Sequence, residues 1–142
     1  MTEAEIYDRL KPLIAEVTGA RAEDVLFDSV LVEDLGAESI DLLDLTYLIE
    51  EEFGVTIQAN ELEKEAKAKI PGGVYEKDGF LTPEALEELR KALPEVDPER
   101  FVPGLRRGDL PLLLKVSVFV HLIQRKLAVG AGGVAGGGTR DG

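Results

Sequence analysis

Apolar residues recur at every third or fourth position along the first half of this chain, and that spacing restricts the fold more than any other feature. Ile6, Leu10, Leu13, Ile14 and Val17 form one series, and Leu42, Leu45, Thr46, Ile49 and Phe53 another. A period near 3.6 residues puts each series on one face of a helix, which must be buried against a neighbour. Thr2-x-x-Glu5 supplies a capping box for the first helix and Gly19 a stop. Pro12 lies inside that helix and should kink it, because proline has no N–H for the i to i−4 bond. From Ala20 to Ala37 no period dominates, so we expect a long loop pinned by Val25, Leu26, Phe27, Val30, Leu31 and Leu35. Loops of that length inside a compact domain are usually functional.

The second long helix is expected from Ser39 to Phe53, stopped by Gly54, and a short third one is expected to begin with Asn60 as its cap. Beyond it, Pro71-Gly72-Gly73 signals a turn and a polar stretch runs through Gly79. Thr82-Pro83 then reads as an N-cap with proline at the first helical position, with Leu81 stapling onto Leu86. This helix should carry Leu86, Leu89 and Leu93 toward the domain and stop before Pro94. Pro98, Pro103, Gly104 and Gly108 keep the next stretch irregular, and Asp109 to about Leu127 reads as a closing helix burying Leu110, Leu113, Leu114, Val118, Leu122 and Ile123. Residues 130–142 are glycine-rich with little to bury, so disorder is expected there. Arg125 and Lys126 would suit the dipole at the end of the closing helix.

A length of 142 residues suits one domain. Cysteine is absent, which excludes disulfides and thiolate metal sites. The start, Met1-Thr2-Glu3-Ala4-Glu5, lacks the basic and apolar runs of a secretory signal, and the apolar stretch Leu110 to Ile123 is interrupted by Lys115 and His121 and is shorter than the roughly 20 residues that span a bilayer. The expectation is a soluble, cytoplasmic monomer with no transmembrane segment. Charge is unevenly divided: residues 1–68 hold 18 Asp/Glu against 5 Lys/Arg, a net −13, while the rest of the chain is net +1. Such a field repels nucleic acid and steers basic protein surfaces into contact. Acidity that serves solubility alone is the competing reading.

Asp34-Leu35-Gly36-Ala37-Glu38-Ser39-Ile40 places one hydroxyl, that of Ser39, at the expected start of the second long helix. Unpaired N–H groups and the positive end of the dipole favour a phosphate there. Together with Val32-Glu33, Leu45 and Glu50-Glu51-Glu52-Phe53-Gly54-Val55, this motif makes the region from Ile6 to Ile57 resemble the acyl carrier proteins. Glu38 stands where that family usually has aspartate, and Ile40 where it has leucine, so charge and apolar character are kept. The resemblance implies an all-α, acyl-carrier-like four-helix bundle. It also implies a 4′-phosphopantetheine arm attached covalently to Ser39, carrying acyl groups as thioesters. The carrier domain would span residues 1–129, with an inserted segment at 68–108 that contributes an additional helix, followed by the tail at 130–142.

On the helix from Ser39, residues Ile40, Asp44, Tyr47 and Glu51 fall on a second stripe that mixes apolar with acidic. The resemblance assigns that face, with Glu38 and Asp41 beside the serine, to partner enzymes with basic surfaces. These would be a phosphopantetheinyl transferase and enzymes of the acyl-ACP synthetase, ketosynthase and acyltransferase type. The alternative is that Ile40 and Tyr47 simply pack under the loop or the insert.

Ser39 as a catalytic nucleophile would need a base and an orienting group, but the one histidine, His121, is over eighty residues away on an apolar helix, and Gly36-Ala37-Glu38-Ser39-Ile40 lacks the glycines of a nucleophile elbow. No catalytic residue is therefore expected. Asp28, Glu33, Asp34, Glu38, Asp41 and Asp44 cluster in sequence without the alternation of a calcium loop, so no metal site is expected either. The function expected is that of a carrier for fatty acid or specialised lipid synthesis. An aminoacyl, peptidyl or polyketide carrier, or an unmodified helical adaptor, stays open. Some 40 inserted residues point to an altered acyl pocket, an extra partner surface, or merely an enlarged core. Val116, Phe119, Val120 and Leu127 exceed what one helix face requires, which suggests that insert and closing helix together widen an apolar cavity.

Overall fold

The computed structural model describes residues 1–58 and 60–137. Its order is α1 (Glu3–Thr18), α2 (Leu31–Leu35), α3 (Ser39–Phe53), α4 (Glu61–Ala68), β1 (Glu76–Lys77), β2 (Phe80–Leu81), α5 (Pro83–Ala92) and α6 (Val116–Gly137). Short 3-10 turns lie at Ala22–Asp24, Pro71–Gly73, Pro98–Arg100 and Arg107–Leu113. The protein is all-α as expected, with one two-stranded hairpin among the described residues.

Helix α1 begins with the reciprocal cap read from the sequence. Thr2 N–H donates to Glu5 Oε1 (2.7 Å) and Glu5 N–H to Thr2 Oγ1 (3.1 Å). Gly19 closes the helix at φ 80°, a left-handed conformation that costs glycine nothing. Pro12 is accommodated within the one helix, Glu3–Thr18. Ile6, Leu10 and Ile14 of α1 are fully buried against Leu45 and Ile49 of α3 and Val116, Val120 and Ile123 of α6. This is the principal core, a packing of apolar helical stripes.

A second apolar cluster lies beside it, and the sequence did not separate the two. Leu86, Leu89 and Leu93, expected to point into the one domain core, instead pack with Ala66 of α4, Tyr75, Val96, Phe101, Leu110 and Leu113. The segment after α4 thus builds a second small core together with α4, with Leu110 and Leu113, and with Val118 of α6. Leu114 packs on both clusters, and α6 is their common wall: Val118 belongs to the second, while Phe119, Val120 and Leu122 belong to the first. Hence α6 is apolar around more of its circumference than a one-sided helix.

Several local expectations change. The stretch from Ala20 to Ala37 contains α2 and a 3-10 turn, and Leu26 does not pin it, being 59% exposed. Val25 and Leu31 are buried in the principal core with Phe27 and Leu35 packed on it, as expected, and backbone pairing adds a second anchor. Val30 and Lys115 form an antiparallel bridge, with Leu31 N–H on Leu114 O (3.0 Å), Val116 N–H on Ser29 O (3.0 Å) and Ser117 N–H on Phe27 O (2.9 Å). Tyr7 Oη adds a bond to Val25 O at 2.7 Å. Asn60 is at the N-cap position of α4, but its side chain makes no capping bond; Glu61 Oε1 instead accepts from Gln58 N–H (3.1 Å).

Asp78 and Gly79, at φ 56° and 86°, make the tight turn of the hairpin that the sequence reading left as polar stretch. Thr82 does cap α5, accepting from Ala85 N–H (3.1 Å) while its hydroxyl donates to Val74 O (2.8 Å). The closing helix starts at Val116 rather than Asp109, because Pro111 holds Arg107–Leu113 in a 3-10 turn and Leu114-Lys115 is extended to pair with Val30. It continues to Gly137, past the expected end at about Leu127. Residues 130–137 of the expected disordered tail are accordingly helical, and 138–142 lie outside the described residues. Lys126 is therefore not a helix-end cation; it pairs with Glu61 at 2.8 Å.

Candidate functional site

Ser39 is the first residue of α3 and is exposed. The turn that delivers it is built from small and left-handed elements. Gly36, at φ 73°, ends α2 with its N–H on Val32 O (3.1 Å), and Ala37, 4% exposed, tucks under with its N–H on Leu31 O (3.0 Å). Because Leu31 is itself bonded to Leu114 O, the segment leading to Ser39 is tied directly to the chain that enters α6. Glu38 then takes the N-cap position, and its N–H donates to Asp41 Oδ2 at 2.8 Å. Asp41, half-buried, thus serves the helix start, while Ser39 stands exposed beside the first turn of amides.

The rest of the α3 surface divides as the two stripes imply. Leu45, Ile49 and Phe53 are buried, whereas Leu42 and Thr46, expected in the core, are half-buried. Glu38, Asp44 and Glu51 are exposed, and Ile40 and Tyr47 are 62% and 61% exposed, so neither packs under the loop or the insert. Leu43, 46% exposed, joins this face. Sequence reasoning missed it, although its spacing of three from Ile40 and four from Tyr47 was available.

Leu42, Leu43 and Thr46 are half-buried or exposed because they border a cavity of about 270 Å³ whose mouth includes Ser39. One side is α3 with Ile57; the back is Val118, Phe119 and Leu122 of α6. The opposite side is Leu62 of α4 with Leu89 of α5, its C-cap residue Leu93, and Leu110-Pro111. The cavity therefore lies at the seam between the two apolar clusters. Apart from Ser39, the polar side chains that line it are engaged with this chain's own groups. Thr46 Oγ1 donates to Leu43 O (2.6 Å), and Gln58 Oε1 accepts from Lys64 Nζ (2.8 Å). Glu61 pairs with Lys126 (2.8 Å) and Glu63 with Arg107 (3.2 Å).

His121 lies elsewhere. Its Nδ1 faces Glu95 Oε2 at 2.6 Å and its Nε2 faces Glu3 Oε2 at 2.5 Å, with the Phe27 ring edge-on at 5.8 Å. Burial works to lower its pKa, but the bonds to Glu95 and Glu3 and their charges outweigh burial and raise it. The sequence reading of a packed histidine on an apolar face missed this ionic contact, which joins α1, α6 and the end of the α5 segment. Burial also raises the pKa of Tyr75, whose hydroxyl sits unpartnered in the second cluster. Among the described residues no cluster of His, Asp and Glu could hold a metal ion, and no helix is long and apolar enough to cross a membrane.

Residues 8–67 match the family model described as "Phosphopantetheine attachment site". Over 64 residues, 45% of this chain, the sequence is 41% identical to an acyl carrier protein of Petrotoga mobilis, covering 75% of that protein. It is likewise 41% identical over 64 residues to an acyl carrier protein of Nitratidesulfovibrio vulgaris, covering 84% of it. No solved structure matches. The matched region contains Ser39 and the α3 face and stops before the insert.

Proposed function

Because this chain belongs to the acyl carrier protein family, with 4′-phosphopantetheine as its covalent prosthetic group, we propose that Ser39 bears the arm and that the protein ferries acyl groups for fatty acid or specialised lipid synthesis. The observation that carries this reading is the position of Ser39: exposed, first in its helix, and at the mouth of an apolar cavity. An exposed hydroxyl can enter a transferase active site. The local amides and helix dipole favour the phosphodiester it would receive. The arm, once attached, supplies a terminal thiol that holds acyl groups as thioesters.

This chain's own part is presentation. Gly36 and Ala37 fix the approach, Asp41 ties down the Glu38 amide, and the bridge to Leu114 holds the turn on the bundle. Around Ser39, exposed Ile40, Leu43 and Tyr47 provide a small apolar centre among Glu38, Asp44 and Glu51. An acidic rim steers basic partners and a small apolar centre keeps affinity modest, which suits delivery with quick exchange. The partners proposed are a phosphopantetheinyl transferase and acyl-handling enzymes with basic faces.

An aminoacyl carrier is the second reading, and the cavity edge speaks against it. Glu61 and Glu63, the carboxylates that border the cavity, are matched by Lys126 and Arg107, which leaves them little call for an ammonium group. The test is intact mass after incubation with coenzyme A and a broad-specificity transferase. A rise of one phosphopantetheine is expected, lost in Ser39→Ala; an unmodified adaptor would show no rise in either protein.

A further inference from the structure

The cavity beneath Ser39 has a wall that the carrier-like region does not supply. Residues 8–67 account for the α3 side and Leu62, but Leu89, Leu93, Leu110 and Pro111 come from beyond the matched region. These four close the seam opposite α3, and Leu89 and Leu93 are themselves held by the second cluster, 0% and 2% exposed. That cluster also includes Ala66 of α4 and Val118 of α6, so the wall is held in place by packing on two of the helices that flank the cavity.

We propose that the insert is a specificity element. Leu89 of α5 and Leu93 at its C-cap, with Leu110, set the length and polarity of the acyl chain that this protein retains beneath Ser39. This rests on the carrier reading above. The occupant is committed by two observations. Ser39 stands at the mouth, so a group tethered there reaches the cavity by folding back. Apart from Ser39, each polar side chain lining it makes a bond within the chain: Thr46 to Leu43 O, Gln58 to Lys64, Glu61 to Lys126 and Glu63 to Arg107. Among the described residues, the buried side-chain atoms without partners belong to Tyr75, Glu95 and Ser117, none of which lines the cavity. A hydroxyl or amine on the chain would give up water for a mostly apolar lining whose two carboxylates already face cations. The class of cargo is therefore a chain of many methylenes, straight or branched, apolar along its length.

The experiment uses the full-length holo protein, charged enzymatically with saturated acyl groups from hexanoyl to hexadecanoyl and with an ω-amino chain of intermediate length. Charging is verified by intact mass, and melting temperature is then measured. We expect a gain of at least ~2 °C for each pair of added methylenes, continuing into the long chains. In Leu93→Phe the gain should stop at a shorter chain, while Leu86→Met, on the same helix but away from the cavity, should follow the wild type. The ω-amino chain should give no gain. A diazirine at the chain terminus, cross-linked in the wild-type protein, should label the peptide holding Leu89 and Leu93, which keeps the test intact if Leu93→Phe folds poorly. Equal plateaus in all three proteins, an equal gain from the ω-amino chain, or labels confined to α3 and α4 would each overturn the proposal. Failure of the chain to accept the arm at all would sink the carrier reading first, and this inference with it.

Discussion

His121 Nδ1 lies 2.6 Å from Glu95 Oε2, so a helix of the principal core is joined by an ionic hydrogen bond to the segment that follows the inserted helix. Glu3 closes on the other ring nitrogen from α1. With a carboxylate at each nitrogen, both nitrogens must donate, and the ring is best satisfied as the imidazolium.

The pH dependence follows from the raised pKa of His121. A proton held more tightly when folded stabilises fully below the ordinary histidine value of about 6.5 and is lost as pH climbs through the folded value. Melting temperature should therefore fall as pH is raised from about 6 upward through the folded pKa. His121→Asn should flatten that slope and cost on the order of 1 kcal/mol at the acidic end, by thermal denaturation at matched ionic strength.

Asp41 makes a separable prediction. Its Oδ2 receives the Glu38 amide, so Asp41→Ala should cost about 1 kcal/mol through the frayed start of α3. Amide hydrogen exchange should then quicken at residues 38–42. Ser39→Ala, at an exposed position without that role, should leave stability within about 0.5 kcal/mol of the wild type.

Thr82 tests whether the insert holds together as a unit. Its hydroxyl caps Ala85 N–H and donates to Val74 O, joining the hairpin to α5. Thr82→Val should cost about 1–2 kcal/mol. Hydrogen exchange should rise from Tyr75 to Phe101 while α1 and α3 stay protected. Ile49→Ala, in the principal core, should cost about 2–5 kcal/mol and expose every helix together.

Reversing charge at Asp44 and Glu51 should act on rates. Both are exposed on the Ile40–Tyr47 face, so the double change to lysine should slow association with a basic partner enzyme and abolish its salt dependence, leaving dissociation little altered. Stopped-flow binding at two ionic strengths would show it.

The bundle was readable from the chain because helical spacing is a local signal. Ile6 to Val17 and Leu45 to Phe53 fall where the period puts them, and Thr2, Thr82 and Gly54 act as the punctuation they resemble. Ser39 and its exposed neighbours were legible for the same reason: one residue at a helix start and one stripe along it. What escaped depends on partners far along the chain. Val30 pairs with Lys115, His121 with Glu3 and Arg100 with Glu33, and no local pattern announces contacts across such separations. The division of Leu86, Leu89 and Leu93 into a core of their own was hidden likewise, since a leucine stripe says that it will be buried but not against what. Asp78-Gly79 was the missed local signal, a two-residue turn flanked by strands too short to stand out.

The short ladder between Val30 and Lys115 has a consequence for ancestry and for engineering. The chain between α4 and Lys115 packs on α4 and α6 and comes back to a fixed berth at Val30, so it should tolerate lengthening, shortening or exchange without moving the serine. Grafting this detour onto a plain relative, or pruning it here down to a short link into Leu114, should transplant cargo preference while leaving the docking face untouched.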